Sequence, residues 1–317
     1  MRYPLFFMLE NLYMHIDPFS DLLRLMNARS VTSGGLIAGG RWALEIPPPN
    51  GVKFWGVARG VCWLKINGAK HPMRLEAGEV VMMTAPRGLV IASELSAPRT
   101  ALDDMLLTRN GPIAYLGEGD DFFMIGGNVE LEHTHADLLL STLPPYLHIT
   151  AQSPRSPTLL WLLKQLISES AENLPGASSA SSQLAQLLFI QILRAHAESV
   201  QHGVPGWLRA VNDKRLAPAL RLIHNEPGRT WQLDELARAA AMSRAAFAAY
   251  FRSVAGIAPV AYLTAWRIRL AQRALREEQV SLGELAGRLG YGSDSAFSSA
   301  FKRLTGVSPK HYRADGR

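Results

Sequence analysis

The chain has 317 residues, 48% of them hydrophobic, and its 33 Lys and Arg exceed its 27 Asp and Glu for a net charge of +6. That length supports two domains with packed cores, and one cysteine, Cys62, excludes an internal disulfide and fits a reducing compartment. No stretch approaches the ~18 uninterrupted apolar residues of a membrane span, and the opening MRYPLFFMLENLYMHID, broken by Glu10, lacks a signal-peptide core.

A cytoplasmic protein with no membrane partner is therefore expected. Its positive charge is unevenly placed. From Asp213 to the C-terminus 17 Lys and Arg stand against 9 Asp and Glu, whereas the remainder carries 16 and 18. A basic last third joined to a near-neutral remainder predicts a polyanion partner for the one and a different task for the other.

In chain order, residues 1–13 show no pattern that continues into a fold, and Met14 is a candidate natural start. Residues 34 to about 132 read as strands. GLIAGGRWALEI, VKFWGVARGVCWLKING, GEVVMMTAPRGLVIAS and FFMIGGNVEL are β-branched or aromatic runs punctuated by Gly, Asn-Gly and Pro. In CWLKI, Cys62, Leu64 and Ile66 share one face, as a half-buried strand requires, which predicts a buried, inert thiol. Several short strands with turns between them suggest a barrel or sandwich. Trp42, Phe54, Trp55 and Trp63 either line a ligand pocket in it or simply fill it. His133 and His135 alternate as a strand pair would, with His148 and His71 elsewhere as partners. Such a pattern can bind a transition metal or consist of surface histidines near a strand end. The sequence has no Gly-rich phosphate loop and no G-x-S-x-G elbow. No catalytic residue, cofactor or metal is expected.

AQSPRSP at 151–157 closes this region, and the hydrophobic period changes after it. Leu159, Leu162, Leu163, Leu166 and Ile167 form one helical stripe. LPGASSASS at 174–182 reads as a flexible break, and a second helix follows from about Gln183 to His202. These two helices either connect and dimerise the chain or pack wholly within it. Pro205 and Gly206 mark the next joint.

From Lys214 the pattern is helical, and one unit occurs twice. At an offset of 50, Ser243/Ser293, Ala246/Ala296, Phe247/Phe297, Phe251/Phe301, Gly256/Gly306, Pro259/Pro309 and Tyr262/Tyr312 match. In the second copy Ser281-Leu-Gly-Glu284 is a capping box that opens a short helix burying Leu282, Leu285, Ala286 and Leu289. Gly290 allows the turn, and Ser293 caps a second helix with Phe297, Phe301 and Leu304 inward. Short helix, turn, second helix is the helix-turn-helix plan. The first copy repeats it with Leu233, Leu236 and Ala237, then Phe247 and Phe251, but its turn, AAMS, has no glycine. Between the copies a helix from about Pro259 to Arg276 carries the stripe Leu263, Trp266, Leu270 and Ala274. It spans roughly 27 Å, a length suited to holding two recognition helices near the ~34 Å repeat of the major groove.

The stretch from Lys214 to Arg313, with Leu289-Gly-Tyr-Gly-Ser-Asp-Ser-Ala-Phe-Ser-Ser-Ala-Phe-Lys-Arg-Leu304 and the Gly306–Arg313 tail, resembles the DNA-binding domain of AraC/XylS-type transcription regulators. The N-terminal part is similar to the cupin-type sensor domain of one branch of that family, through SGG, the GxCWLxxxG strand, LxAGEVVMMTAPRG and HADLLLSTLPPYLHI at 135–149. The resemblance implies an α+β chain: a cupin-like β-barrel sensor at 14–150, a helical connector or dimerisation segment at 151–205, and an all-α double helix-turn-helix at 206–317, with units at about 232–254 and 281–304. It implies double-stranded DNA as partner, a small-molecule effector, a homodimer, and RNA polymerase where the protein is an activator. By the same analogy, base edges are met by Arg244, Ala245, Ala248 and Ala249 in the first copy, and by Ser293, Asp294, Ser295, Ser298 and Ser299 in the second. Arg244 can donate to guanine, whereas Ala245 and Ala248 offer only contact with a thymine methyl. Arg252, Lys302 and Arg303, toward the helix ends, are either phosphate contacts or solvated charge. The alternative is a cupin-type metalloenzyme fused to a DNA-binding domain. Its metal ligands are missing where the resemblance would put them: Glu45 is the sole acid and no His occurs between Arg41 and Gly60, and Ile91 stands where a later His is expected.

Overall fold

The computed structural model describes residues 17–107, 111–172, 174–199 and 205–315. Residues 1–13 and the Met14 start lie outside them. The chain forms two compact units, Asn27–His202 and Gly203–Arg317 together with Met1–Met26. The sequence boundary kept residues 14–26 with the barrel, but the first described helix, α1 (Pro18–Leu25), falls in the helical unit. It begins cleanly: Asp17 accepts the N–H groups of Phe19 and Ser20 at 3.1 and 3.0 Å, and Pro18 occupies the first turn. Leu22, Leu25 and Met26 are wholly buried.

The unit Asn27–His202 holds eleven described strands: β1 (Arg29–Gly39), β2 (Ala43–Ile46), β3 (Val52–Arg59), β4 (Val61–Ile66), β5 (Met73–Glu76), β6 (Val80–Met83), β7 (Leu89–Ala92), β8 (Arg99–Ala101), β9 (Ile113–Gly117), β10 (Phe122–Glu130) and β11 (Tyr146–Ile149). They form a six-stranded sheet of order β11-β6-β3-β10-β1-β9 and a five-stranded sheet of order β5-β4-β7-β2-β8. Antiparallel pairs dominate, with parallel closures at β1–β9 and β2–β8. The core between the sheets gathers Trp42, Leu44, Trp55, Cys62, Leu64 and Met124. Strand β4 alternates exposed and buried as the sequence requires, so Cys62 faces inward. Burial and the nearby Glu79 charge push its thiol up to about 12, which leaves it inert at neutral pH.

Within the same unit come short α2 (Leu102–Leu107), α3 (His133–Leu140), α4 (Ser156–Glu172) and α5 (Ala177–Ser199). Leu159, Leu162, Leu163 and Leu166 of α4 are fully buried. Leu163 presses on Gly56 of β3, where any Cβ would collide with it. The two long helices thus pack against the six-stranded sheet, α4 on β3 and α5 on β1. Residues 177–182, expected as part of a flexible break, are the first turns of α5. Its alanines are good helix formers and its Ala185, Leu188 and Phe189 bury a stripe, which outweighs the weak propensity of the serines.

The other unit adds α6 (Trp207–Asn212), α7 (Ala217–Asn225), α8 (Leu233–Ala239), α9 (Arg244–Ala255), α10 (Pro259–Glu277), α11 (Leu282–Arg288), α12 (Asp294–Thr305) and α13 (Pro309–Asp315). Pro259 opens α10, whose Leu263, Trp266, Ile268, Ala271, Ala274 and Leu275 are all buried. That wide apolar face lets one helix serve both halves of the unit.

Candidate functional site

The repeat in sequence is a repeat in geometry. Ser243 accepts the Ala246 N–H at 3.3 Å and Ser293 accepts the Ala296 N–H at 3.2 Å, so α9 and α12 start alike. Both end on a left-handed glycine, Gly256 at φ 78° and Gly306 at φ 82°. Between these caps the ring pairs Phe247–Phe251 and Phe297–Phe301 stand edge-on at 5.6 and 5.8 Å. Tyr262 and Tyr312 extend each pair at 5.5 and 5.4 Å. Each second helix is therefore anchored by one face, with its outer face turned to solvent.

The turn before each recognition helix also repeats. Met242 N–H bonds Ala237 carbonyl and Tyr291 N–H bonds Ala286 carbonyl, both at 2.9 Å. Each turn needs one left-handed residue, Gly290 at φ 75° in the second copy and Ala241 at φ 52° in the first. The missing glycine of AAMS does not make the first copy irregular; Ala241 takes up the strain. The helix starts are secured differently. At α11 Ser281 accepts the Glu284 N–H at 3.1 Å, and at α8 the Glu235 carboxylate accepts the Gln232 N–H at 2.9 Å.

Of the expected base-edge residues, Arg244, Ala245 and Ala249 are exposed and Ala248 is half-buried on α9. On α12 Asp294, Ser295 and Ser299 are exposed and Ser298 is half-buried. Ser293 is exposed too, but its oxygen is engaged in capping α12. The Arg244 guanidinium lies 3.8 Å from the Asp234 carboxylate with 69% of the side chain exposed, a loose pair that leaves its donors open. Arg252, Lys302 and Arg303 project to solvent near the helix ends. Leu304, expected inward, is 50% exposed: an i+7 step keeps it near the Phe297 face, but it stands in the last turn of α12, one residue before its end at Thr305.

One arginine of α10 ties the two halves together. Arg267 donates to the carbonyls of Pro227 and Arg229 at 2.6 and 2.9 Å and lies 5.6 Å from the Tyr291 ring. Arg276 sits 5.0 Å from the Tyr312 ring.

In the barrel, the four expected pocket aromatics part company. Trp55 lines a cavity of about 200 Å³. Trp42 instead fills the core against Phe122, with ring centroids 4.9 Å apart. Phe54 points to the opposite face from Trp55, where its ring covers Gly127, because successive strand residues alternate. Trp63 points outward and is 37% exposed. His133 and His135 stand on α3 rather than on a strand. His148 lies 2.8 Å from the buried Glu79 carboxylate, which also accepts the Ala151 N–H at 3.0 Å. This is a fastening of β11 to the turn before β6. Among the described residues no group of three His, Cys, Asp or Glu could hold a metal ion.

One cavity residue was missed by the sequence reading. Lys53 shares the Trp55 face of β3, and its ammonium lies 5.7 Å from that ring. Burial lowers its pKa from the ordinary lysine value. The period-two pattern in VKFWGV carries the signal, since it puts Lys53 and Trp55 on one face.

A family model for a cupin domain matches residues 17–198, and one for a helix-turn-helix domain matches residues 236–315. A putative AraC-like transcription regulator of Streptomyces lividans is 39% identical over 301 residues, 94% of this chain and 98% of its own length. A second, from Streptomyces antibioticus, is 40% identical over 299 residues, again 94% and 98%. The chain belongs to the AraC-like transcription regulators. Among solved structures, the DNA-binding domain of AdpA in complex with a target DNA is 36% identical and covers 32% of this chain and 93% of its own, with a TM-score of 0.31. The regulator is thus a sequence-specific DNA-binding protein with a cupin-type N-terminal domain, and the metalloenzyme alternative gives way to that family. No single helix among its described residues is long and apolar enough to cross a membrane.

Proposed function

We propose that the regulator acts in the cytoplasm, reading two successive major-groove faces of its operator with α9 and α12 and responding to a small molecule through its barrel. The observation that carries the DNA part is the repeat of caps and aromatic anchors around α9 and α12 on either side of α10, in a unit rich in Lys and Arg. Nineteen residues of α10 span roughly 28 Å, which suits two helices held near one turn of B-DNA. In this reading the base-edge residues are Arg244, Ala245, Ala248, Ala249, Asp294, Ser295, Ser298 and Ser299, with the free O–H of Ser293. Arg252, Lys302 and Arg303 position the protein on phosphates. Exposed Trp161 on α4 and Leu187 on α5 support a homodimer through these helices, and activation would bring RNA polymerase as a further partner.

The test is selection of bound sites from a randomised duplex library with the full chain, followed by footprinting. Two protected segments centred one helical turn apart are expected, with affinity that falls steeply with salt as counterions are released. A single protected half-site, unchanged when α9 is mutated, would overturn the two-groove reading.

A further inference from the structure

We propose that the cavity beside Trp55 is the regulator's effector site, and that it takes a small apolar monoanion whose single carboxylate is held by Lys53. This rests on the reading of the barrel as a sensor. The cavity is walled by Leu44, Ile46, Trp55, Met105 and Met124, and among the described residues Lys53 is the one charged side chain lining it. Strand β1 bulges at its rim between Thr32 and Gly34, a device that opens a sheet beside a site. Beside Trp55, Gly126 on the paired strand β10 makes room for the indole, since a Cβ there would stand 2.9 Å from the Trp55 ring.

The chemistry of the walls sets the ligand class. An ammonium has three donors and no acceptor, and among the described residues no carboxylate pairs with that of Lys53. Its contact is the indole face of Trp55, which attracts the charge without accepting its hydrogen bonds. A ligand carboxylate would supply those acceptors in a partly desolvated setting, where a charge-assisted bond is strong. A cationic ligand would meet Lys53 with like charge, and a neutral one would offer its donors only an uncharged, weaker acceptor.

Volume limits the rest of the molecule. An apolar cavity of about 150 Å³ accommodates benzene. The 200 Å³ here fits one ring, or a short branched chain, with a one- or two-atom acidic tail. Long acyl chains and sugars are excluded, the first by size and the second by the scarcity of polar groups in the wall.

The experiment is calorimetric titration of the full chain with benzoate, phenylacetate and 3-methylbutanoate, each beside its amide. At least one carboxylate should bind tenfold or more tightly than its amide. Lys53→Met, which keeps the stem and removes the charge, should bring the carboxylate down to the level of the amide; should it fail to fold, Lys53→Gln replaces it. The site is overturned if no carboxylate of the panel binds, if an amide binds as well as its acid, or if the neutral variant keeps the preference. The sensor reading fails separately. A carboxylate that binds through Lys53 yet leaves operator affinity and transcription unchanged overturns the effector role while leaving the anion site in place.

Discussion

His224 and Asp21 are 203 residues apart in sequence, yet His224 Nδ1 lies 2.9 Å from an Asp21 carboxylate oxygen inside the helical unit. The other ring nitrogen, Nε2, lies 2.9 Å from the Tyr262 hydroxyl, and the ring stacks within 4.1 Å of Trp266. A neutral ring satisfies both bonds, with Nδ1–H donating to Asp21 and Nε2 accepting the Tyr262 O–H. The pair fastens α1 to α7 and α10.

Burial lowers the His224 pKa, opposed by the hydrogen bond and charge of Asp21 and by the charge of Asp17. The folded ring therefore stays neutral where the unfolded chain, titrating near ~6.5, takes up a proton. Below that pH the unfolded state binds more protons, so stability is full above it and declines as pH falls from ~6.5 toward the lower folded value. Denaturant unfolding of the helical unit between pH 7.5 and 5.5 should show this decline, and His224→Phe should flatten it.

Asp21→Ala should cost about 1–3 kcal/mol at pH 7, the penalty for leaving a buried donor unmet. Asp21 is not among the residues proposed to meet DNA, so operator affinity well below the melting temperature should be unchanged. A melting temperature equal to that of the wild type would mean that α1 does not cover His224 in solution.

The two turns make opposite predictions. Ala241 holds φ 52°, a left-handed conformation that costs an L-residue about 1–2 kcal/mol. Ala241→Gly relieves this at some entropic cost in the unfolded chain and should stabilise by about 0.5–1 kcal/mol. Gly290 holds φ 75°, and a Cβ there would run into the Gly228 carbonyl. Gly290→Ala should therefore destabilise by about 2 kcal/mol or more. Paired urea denaturation curves check both signs.

Phe297→Ala and Phe247→Ala remove fully buried rings and should each cost about 3–5 kcal/mol. Leu304→Ala, at a half-exposed position, should stay within about 0.5 kcal/mol of wild type. Melting curves for the three variants would test the assignment of faces on α9 and α12.

These cases show what a linear chain discloses. The repeat at offset 50 was legible because each copy folds through local contacts: a serine cap, two rings one turn apart and a left-handed glycine. The β4 alternation was legible for the same reason. The place of α1 was not, because it depends on His224 and Tyr262, which no local pattern links to Asp17-Pro18-Phe19. His133 and His135 were misread because two residues two apart fit a strand or a helix equally until the neighbours decide. Lys53 went unnoticed because a lysine in a strand ordinarily marks the solvent side, and here the apolar wall lies on its own face.

The last prediction separates reading from positioning on α9. Arg244 stands in the first turn of α9, exposed and loosely paired with Asp234 at 3.8 Å; Arg252 stands two turns later, also exposed. If Arg244 is the polar base reader of α9, Arg244→Ala should relax preference at one position of one half-site by about 1–3 kcal/mol, the worth of a bidentate contact to guanine. Arg252→Ala should weaken all sequences nearly alike and reduce the salt slope by about one. Asp234→Ala should sharpen the contrast, since removing the nearby carboxylate frees the Arg244 donors without touching the helix core. Binding of the three variants to a randomised half-site library at two salt concentrations reads out all of this. A uniform loss for Arg244→Ala, together with a changed base preference for Arg252→Ala, would reverse the two roles.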